Sequence, residues 1–526
     1  MVSAGEVLRL GPFTGGLNLS SDPTSVADAE LVECVNLELD IEGSLKSRPP
    51  YVIVDDDNTT IEGHIIIGSA LFGSTAYLFS SGVDSAGVES IRSSTDGITW
   101  TAINGANERF SVACIQYRDK VWFVAHPNST NGGMSWDPIG GLTAIATMPR
   151  GMACVVHKER LYVCAGRSAV TNNSRLTFSE PADLTTWGAS DFIDVSPGDG
   201  ESLNDILVYN DNLLLFKDAS THVLAYDLNP ADAILREINP VIGVDAEKKS
   251  VQFENVAYIL HDDIVYEIVN YDFNPINIKV PFVLDQTIPP ATQPRTIDSS
   301  LSLLGNRLIT RFFAKTYVYG FRTKTWSEWK STFQPTSQWH ELTPLVKLPA
   351  SNPGQYFAMR NFDESTHVFK MRDLPVANED ELGTGTIACH IRTKDFDIAD
   401  PVHFKKLYWW SADVLTGNNV IGAASPITIA FSPSWEQLED SGGDLAWEEL
   451  GSWESLLDTP SSTTTQYTGD NNFAISKTYK FMKGLRFRKI NFVVLLVTDG
   501  SLTQPSKIFS LTATVRTKQA IVKTVS

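Results

Sequence analysis

SVACIQYRDKVWFV, residues 111–124, decides how this chain is read. Two apolar runs flank a polar pair, Arg118-Asp119, as in a β-hairpin whose strands meet at a tight turn. Variants recur down the chain: GMACVVHKERLYV (151–163, turn Lys158-Glu159), NDILVYNDNLLLF (204–216, turn Asn210-Asp211), SVQFENVAYIL (250–260, turn Glu254-Asn255) and SLSLLGNRLIT (300–310, turn Gly305-Asn306). A weaker copy, IIIGSALFGSTAYLF (65–79, turn Gly73-Ser74), precedes them, and a degraded one, LVKLPASNPGQYFAM (345–359), follows. The turns lie roughly 40–52 residues apart, the period of propeller blades. A single hairpin cannot bury its own apolar face, so the repeats must pack on one another. The fold expected is all-β: a propeller of about seven blades over 60–385, entered or closed by an N-terminal arm, 1–59, and followed by an antiparallel sandwich-like domain, 386–526.

The chain has 526 residues, enough for two or more domains with a large core. Its formal charge of −20 argues against a duplex-binding protein, which needs basic footprints on phosphate. The five cysteines (Cys34, Cys114, Cys154, Cys164, Cys389) are scattered and form no C-x-x-C pair, which points to synthesis in a reducing compartment. The start, MVSAGEVLRLGPF, lacks the basic and apolar regions of a secretory signal, and no apolar run approaches the ~20 residues of a membrane helix. No membrane insertion is expected.

In the arm, Asp22-Pro23 could open a helical turn continued by residues 27–31. Glu38 to Gly43 faintly resembles the start of a calcium loop, but its twelfth position is Pro49 instead of Glu, so no metal is expected there. SSTDGITW (93–100) and STNGGMSW (129–136) match the Asp-box pattern S-x-[DN]-x-G-x-[ST]-W, the second at every position and the first with one residue deleted. The acid or amide (Asp96, Asn131) should bond turn backbone, glycine (Gly97, Gly133) should supply positive φ, and tryptophan (Trp100, Trp136) should plug the blade. Such turns occur in sialidases and in non-enzymatic propellers alike. The structural reading is favoured because the motif places no reactive group at a common centre.

Several stretches together resemble a known family. FTGGLN (13–18) followed by SDP, then NLELDIEGSLKSRP (36–49), is similar to the start of many bacteriophage tail structural proteins. RLYV (160–163), RLTFSEPADLTTW (175–187), SPGDGESL (196–203), LLLFK (213–217), IRTKDFDI (391–398) and FKKLYWW (404–410) are similar in the same way. The likeness covers most of the chain, most strongly 10–270 and 385–415. The family is the propeller type that includes podovirus tail nozzles and minor tail or tail-tip proteins. The resemblance implies a non-enzymatic virion component, made and assembled in the host cytoplasm. It would form a ring, contact other tail or neck proteins, and let genomic DNA pass through its channel without specific binding.

ANEDELGTGT (377–386) reads as a domain boundary, and six strand-like stretches follow it. Between the third and fourth lies 432–472, which contains no Lys or Arg and repeats a small motif at Trp435, Trp447 and Trp453. These tryptophans beside acids are either a local plug under a long loop or anchors for a basic partner. Residues 459–468, rich in Ser and Thr, read as a mobile loop. Arg486 and Arg488 belong to a basic segment expected to face protein neighbours, while surplus acids would line a channel that DNA slides through.

There is no P-loop, no G-x-S-x-G and no H-E-x-x-H; at His340-Glu341, Pro344 stands where the second histidine would be. His261-Asp262-Asp263 sits at a hairpin tip and reads as a solvated turn. Arg48, the one Arg-Pro, links to no arginine triad. No catalytic residue, metal or cofactor is assigned, and the chain is read as not an enzyme. The alternatives are a distal minor tail protein in place of a nozzle, or a glycan-binding or glycan-cleaving propeller at the host surface.

Overall fold

The computed structural model describes residues 6–517 apart from connecting segments, the longest being 104–110, 283–299, 331–338, 348–354, 372–385, 397–404, 416–424, 435–462, 468–474 and 500–506. The chain divides into two compact units. One comprises Met1–Pro50, Tyr317–Phe333 and Leu374–Ser526; the other comprises Tyr51–Thr316 and Gln334–Asp373.

The second unit is a β-propeller. Its first blade is the antiparallel sheet His64–Phe72, Thr75–Val83, Glu89–Ser94 and Thr101–Ala102. The second is Ser111–Tyr117, Lys120–Ala125, Met134–Asp137 and Gly141–Ala144. The third is Ala153–His157, Arg160–Cys164, Arg175–Phe178 and Phe192–Asp194. The fourth is Leu203–Tyr209, Asn212–Lys217, Thr221–Ala225 and Ile234–Asn239. The fifth is Ser250–Phe253, Val256–His261, Ile264–Val269 and Asp272–Pro275. The sixth repeat opens with the hairpin Ser300–Leu304 and Arg307–Phe312. In the last blade, Gln355–Asn361 pairs with Thr366–Met371, and Tyr51–Asp55 adds the outermost strand. A strand from before the first blade therefore completes the last one.

The hairpin turns fall where the sequence placed them. Arg118, Lys158, Glu159, Asn210, Asp211 and Glu254 all adopt positive φ, as do Gly73 and Gly305. Two-residue hairpin turns of this hand match the twist of the flanking strands, which outweighs the mild strain on Lys158 and Glu159.

The second strand of each hairpin is apolar on both faces because it is covered on both. Phe123 packs with Ile67, Phe79 and Trp136 between the first and second blades, while its neighbours Trp122 and Val124 pack with Leu161 and Val163 between the second and third. Leu213 and Leu215 join Tyr162 and Cys164 between the third and fourth blades; Leu214 and Phe216 join Ala257 and Ile259 between the fourth and fifth. Ile66 and Leu78 meet Tyr356 and Val368, bringing the last blade against the first. Polar stitches accompany the apolar seams. The Gln116 side chain accepts from the Leu71 amide at 2.8 Å and donates to the Leu71 carbonyl at 2.7 Å. Ser250 donates to Asp205 at 2.8 Å.

The first unit joins the two ends of the chain. Glu30–Val35 pairs antiparallel with Thr386–Thr393, which pairs with Lys489–Asp499; Ser425–Ser434 and Thr463–Tyr467 follow in the same sheet. In a second sheet Lys507–Thr517 lies between Lys405–Leu415 and Glu6–Leu10, and Ile475–Phe487 flanks Lys405–Leu415. All six strands expected after residue 386 are present.

Four expectations change. Residues 1–59 are no separate arm, since 1–50 belong with the C-terminal unit, while Tyr51–Asp55 supplies the closing strand expected of this stretch. The boundary near 386 is likewise too simple, since Tyr317–Phe333 also belongs to the first unit. No helical turn follows Asp22, whose carboxylate accepts from the Thr24 amide at 2.9 Å and from its hydroxyl at 2.5 Å. Such side-chain bonds compete with helical ones. Within 459–468, expected to be a mobile loop, Thr463–Tyr467 is a strand paired with Ser425–Ser434.

Arg48 shows what holds the first unit's turn. It is 1% exposed and donates to Asn36 Oδ1 at 2.7 Å, the Pro49 carbonyl at 2.8 Å and the Lys330 carbonyl at 2.6 Å. Asn36, at φ 58°, also accepts from the Lys330 amide at 2.7 Å.

Phe123→Ala should destabilise the propeller by about 3–5 kcal/mol, the usual cost of emptying a buried phenylalanine site. Urea unfolding followed by tryptophan fluorescence measures it. A loss below about 1 kcal/mol would mean that the seam between the first two blades is not a core.

Candidate functional site

The Asp-box expectation can be read residue by residue. In the first blade Asp96 Oδ1 accepts from the amides of Ile98 and Thr99, both at 2.8 Å, and from the Ser94 hydroxyl at 2.9 Å. Gly97 has φ 83°, and the Trp100 indole donates to the Gly97 carbonyl at 3.1 Å. Burial raises the Asp96 carboxyl, but the Thr99 and Ile98 amides and the Ser94 hydroxyl outweigh it and leave the group below its ordinary value. A side chain at Gly97 would press on Tyr356 and Val54, so this turn also abuts the last blade.

Residues 129–136 occupy a different place. They join the second strand of their blade to the third, whereas Asp96 lies between the third and the fourth. Trp136 is a strand residue in the apolar seam between the first two blades. Gly133 is required for closeness: a Cβ there would lie 2.2 Å from Met148 Sδ. Asn131 lies outside the described residues.

The third blade carries a turn of the first kind that the pattern did not flag. Asp183 accepts from the Thr185 amide at 3.0 Å and the Thr186 hydroxyl at 2.8 Å, and the Trp187 indole donates to the Leu184 carbonyl at 3.0 Å. It also joins third to fourth strand. The shared signal is D-x-x-T-W, at Asp96 to Trp100 and at Asp183 to Trp187. The consensus glycine is dispensable here, since Leu184 replaces it.

Of the candidate partner contacts, Trp435, Trp447, Trp453 and Arg488 lie outside the described residues. Arg486 is in the strand Ile475–Phe487 opposite Lys406, and its side chain lies outside the description. Glu38 and Asp40, read as a faint calcium loop, belong to a hairpin: Glu38 pairs with Lys46 at 3.4 Å, and the Asp40 carbonyl accepts from the Gly43 amide at 2.9 Å. His261 and Asp262 sit 3.7 Å apart at a hairpin turn, with Asp262 largely exposed. Among the described residues no three His, Cys, Asp or Glu side chains converge as a metal site would need, and no helix is long and apolar enough to cross a membrane.

A polar constellation surrounds the loop 196–202, SPGDGES, which carries the chain from the third blade to the fourth. Lys217, fully buried at the end of a fourth-blade strand, donates to the carbonyls of Val195 at 3.1 Å and Ser196 at 3.2 Å and pairs with Asp199. Burial raises the Asp199 carboxyl, but Lys217 and the Glu201 amide outweigh it and hold the group below its ordinary value. Ser220 donates to Glu201 at 2.7 Å, and Asp218 accepts from the Ser202 amide at 2.5 Å and from Asn204 at 3.1 Å while pairing with Arg167. Each of these acids already holds a basic or hydrogen-bonding partner. The arrangement locks a connection.

No family model and no curated protein matches the chain. Among solved structures it is similar to the Pan2 WD40 domain of Neurospora crassa, at 8% identity and TM-score 0.36, over 62% of this chain and 96% of that one. It is similar to the AfRom2 CNH domain at 7% identity and TM-score 0.38, over 62% of this chain and 99% of that one. The extracellular domain of a hybrid two component system from B. thetaiotaomicron matches at 9% identity and TM-score 0.44, over 88% of this chain and 62% of that one. These likenesses concern the fold and carry no argument about function. The class defined so far is an all-β propeller protein with a second β-unit.

Lys217→Met should cost about 2–4 kcal/mol, since it removes three donor contacts from a buried site and leaves carbonyls and Asp199 without their partner. It should also make 196–202 the first point of limited proteolysis. Unchanged stability with an unchanged cleavage pattern would show that the loop is held by other contacts.

Proposed function

We propose that this chain is a non-enzymatic structural component of a bacteriophage tail, a nozzle or tube-end protein. It forms a homo-oligomeric ring around the DNA channel and docks other tail proteins. One observation supports this beyond the sequence resemblance. Regions that carry the likeness near the two ends of the chain fold together, Glu30–Val35 against Thr386–Thr393. Their polar side chains go into structure: Arg48 into the turn at Asn36, and Asn18 onto Glu30 at 2.8 Å. A signature of this kind specifies a body to be assembled. A catalytic signature leaves carboxylates or a nucleophile open to a cleft.

Particles of the encoding phage, labelled with an antibody to this chain and imaged by electron microscopy, test the reading. Label at the tail end next to the capsid, with ring-shaped oligomers of the purified chain, is expected. Label at the distal tip would replace the nozzle by a minor tail protein. Release of reducing ends from host surface polysaccharide, abolished by one carboxylate substitution, would overturn the structural role.

A further inference from the structure

Two buried histidines occupy opposite ends of the seam between the third and fourth blades. His157 ends the strand Ala153–His157 beside the turn Lys158-Glu159, and it faces Asp211 in the corresponding turn of the fourth blade. His222 lies in Thr221–Ala225, at the other end of the fourth blade, and faces Ser196 on the connection from the third. Between them is the apolar cluster of Tyr162, Cys164, Leu213, Leu215 and Leu224.

Neither imidazole is fully satisfied. His157 is 6% exposed and His222 is 2% exposed. His157 Nε2 has no hydrogen-bond partner and lies 4.0 Å from Asp211 Oδ1, whose carboxylate already binds Lys158 at 3.2 Å. Arg160 stands opposite His157 on the same hairpin, and the Tyr226 ring meets it edge-on at 5.8 Å. His222 Nε2 is 3.0 Å from the Ser196 hydroxyl and 3.7 Å from Glu237, its cross-strand partner; Nδ1 has none. Lys217, Asp199 and Glu201 are the other charges that act on it. Each histidine thus has a buried ammonium or guanidinium close by and a partly exposed carboxylate beyond hydrogen-bond distance, Asp211 for His157 and Glu237 for His222.

We propose that the seam between the third and fourth blades is an acid-sensitive joint, which loosens when His157 and His222 take up protons. Burial disfavours the imidazolium at both sites and, with Lys158 at His157 and Lys217 at His222, outweighs the opposing carboxylates of Asp211 at His157 and of Glu237, Asp199 and Glu201 at His222, so both groups lie below the ordinary histidine value of 6.5. With the seam open, both return toward that value. The open form therefore binds more protons than the closed one as pH falls below 6.5, and the closed seam loses stability over that window. His64 is an internal control in the first blade: it is buried, but its nitrogens meet the hydroxyls of Ser80 at 3.3 Å and Ser90 at 2.9 Å.

Hydrogen exchange read by mass spectrometry at pH 7.5 and 5.5, corrected for intrinsic rates, tests this on the full chain. Amides of Arg160–Cys164 and Asn212–Lys217 should exchange faster at pH 5.5, by up to about tenfold per histidine, while those of Thr75–Val83 in the first blade should not. The double variant His157→Gln, His222→Gln should lose the difference. Equal acceleration in every blade, or a difference that persists in the double variant, would overturn the proposal. Imidazole titration by NMR on the wild-type chain gives an answer even if the variants fold poorly. Midpoints below 6.5 for both residues are expected, and a midpoint at or above 6.5 for both removes the basis of the joint.

Discussion

Everything in the propeller depends on one constraint: the second strand of each blade must be apolar on both faces. In an ordinary half-exposed sheet, strands alternate and one face meets water. Here Leu213 and Leu215 point to the third blade while Leu214 and Phe216 point to the fifth, and all four are buried. The blade is a spacer between two seams, and its stability is not its own. Removing one blade's apolar partners exposes the neighbour as well, as in other stacked repeats. The outer strands carry no such load: Thr101–Ala102 is exposed, and Phe192–Asp194 is only half-buried.

Polar contacts play a second part, in fixing which loop goes where. A buried ion pair adds little net stability over an apolar filling, but leaving one member alone is costly. Lys217 and Arg48 are large buried cations that reach main-chain carbonyls as well as their side-chain partners, Asp199 and Asn36. A misplaced loop would strand either cation without acceptors. Each therefore disfavours alternatives to the native connection, at 196–202 in one unit and around Asn36 in the other.

The repeat was legible in the sequence because its cause is local. A two-residue turn between apolar runs is written in about a dozen consecutive residues, and burial on both faces turns those runs continuous. Turn chemistry could be read at Asn210-Asp211 and Gly305-Asn306, and spacing carried the reading through Lys158-Glu159, where propensity alone would not. The six C-terminal strands were legible for the same reason. What escaped is non-local. That Glu30–Val35 pairs with Thr386–Thr393 depends on a partner more than 300 residues away, and so does the choice of Tyr51–Asp55, within a stretch expected to enter or close the propeller, as the strand that completes a sheet begun near residue 339. Among the Asp boxes, the perfect consensus at 129–136 lies at a strand-two to strand-three connection, and the turn at Asp183 has no glycine. The physical requirement is a carboxylate that collects amides and hydroxyls with a tryptophan four residues on. The glycine in the pattern stands in for that requirement only loosely.

The path of the chain explains why the ends matter more than their composition suggests. It runs through the first unit to Pro50, enters the propeller at Tyr51, returns at Tyr317, re-enters at Gln334 and leaves again at Leu374. The closing strand Tyr51–Asp55 begins three residues after Arg48, whose guanidinium is held on Asn36 and the Lys330 carbonyl. Such a strand contributes to the propeller only if its register is right, because a slip of one residue would turn its inward side chains outward. Of the residues that precede the first blade, the strand Tyr51–Asp55 is the one whose pairing closes the ring of blades.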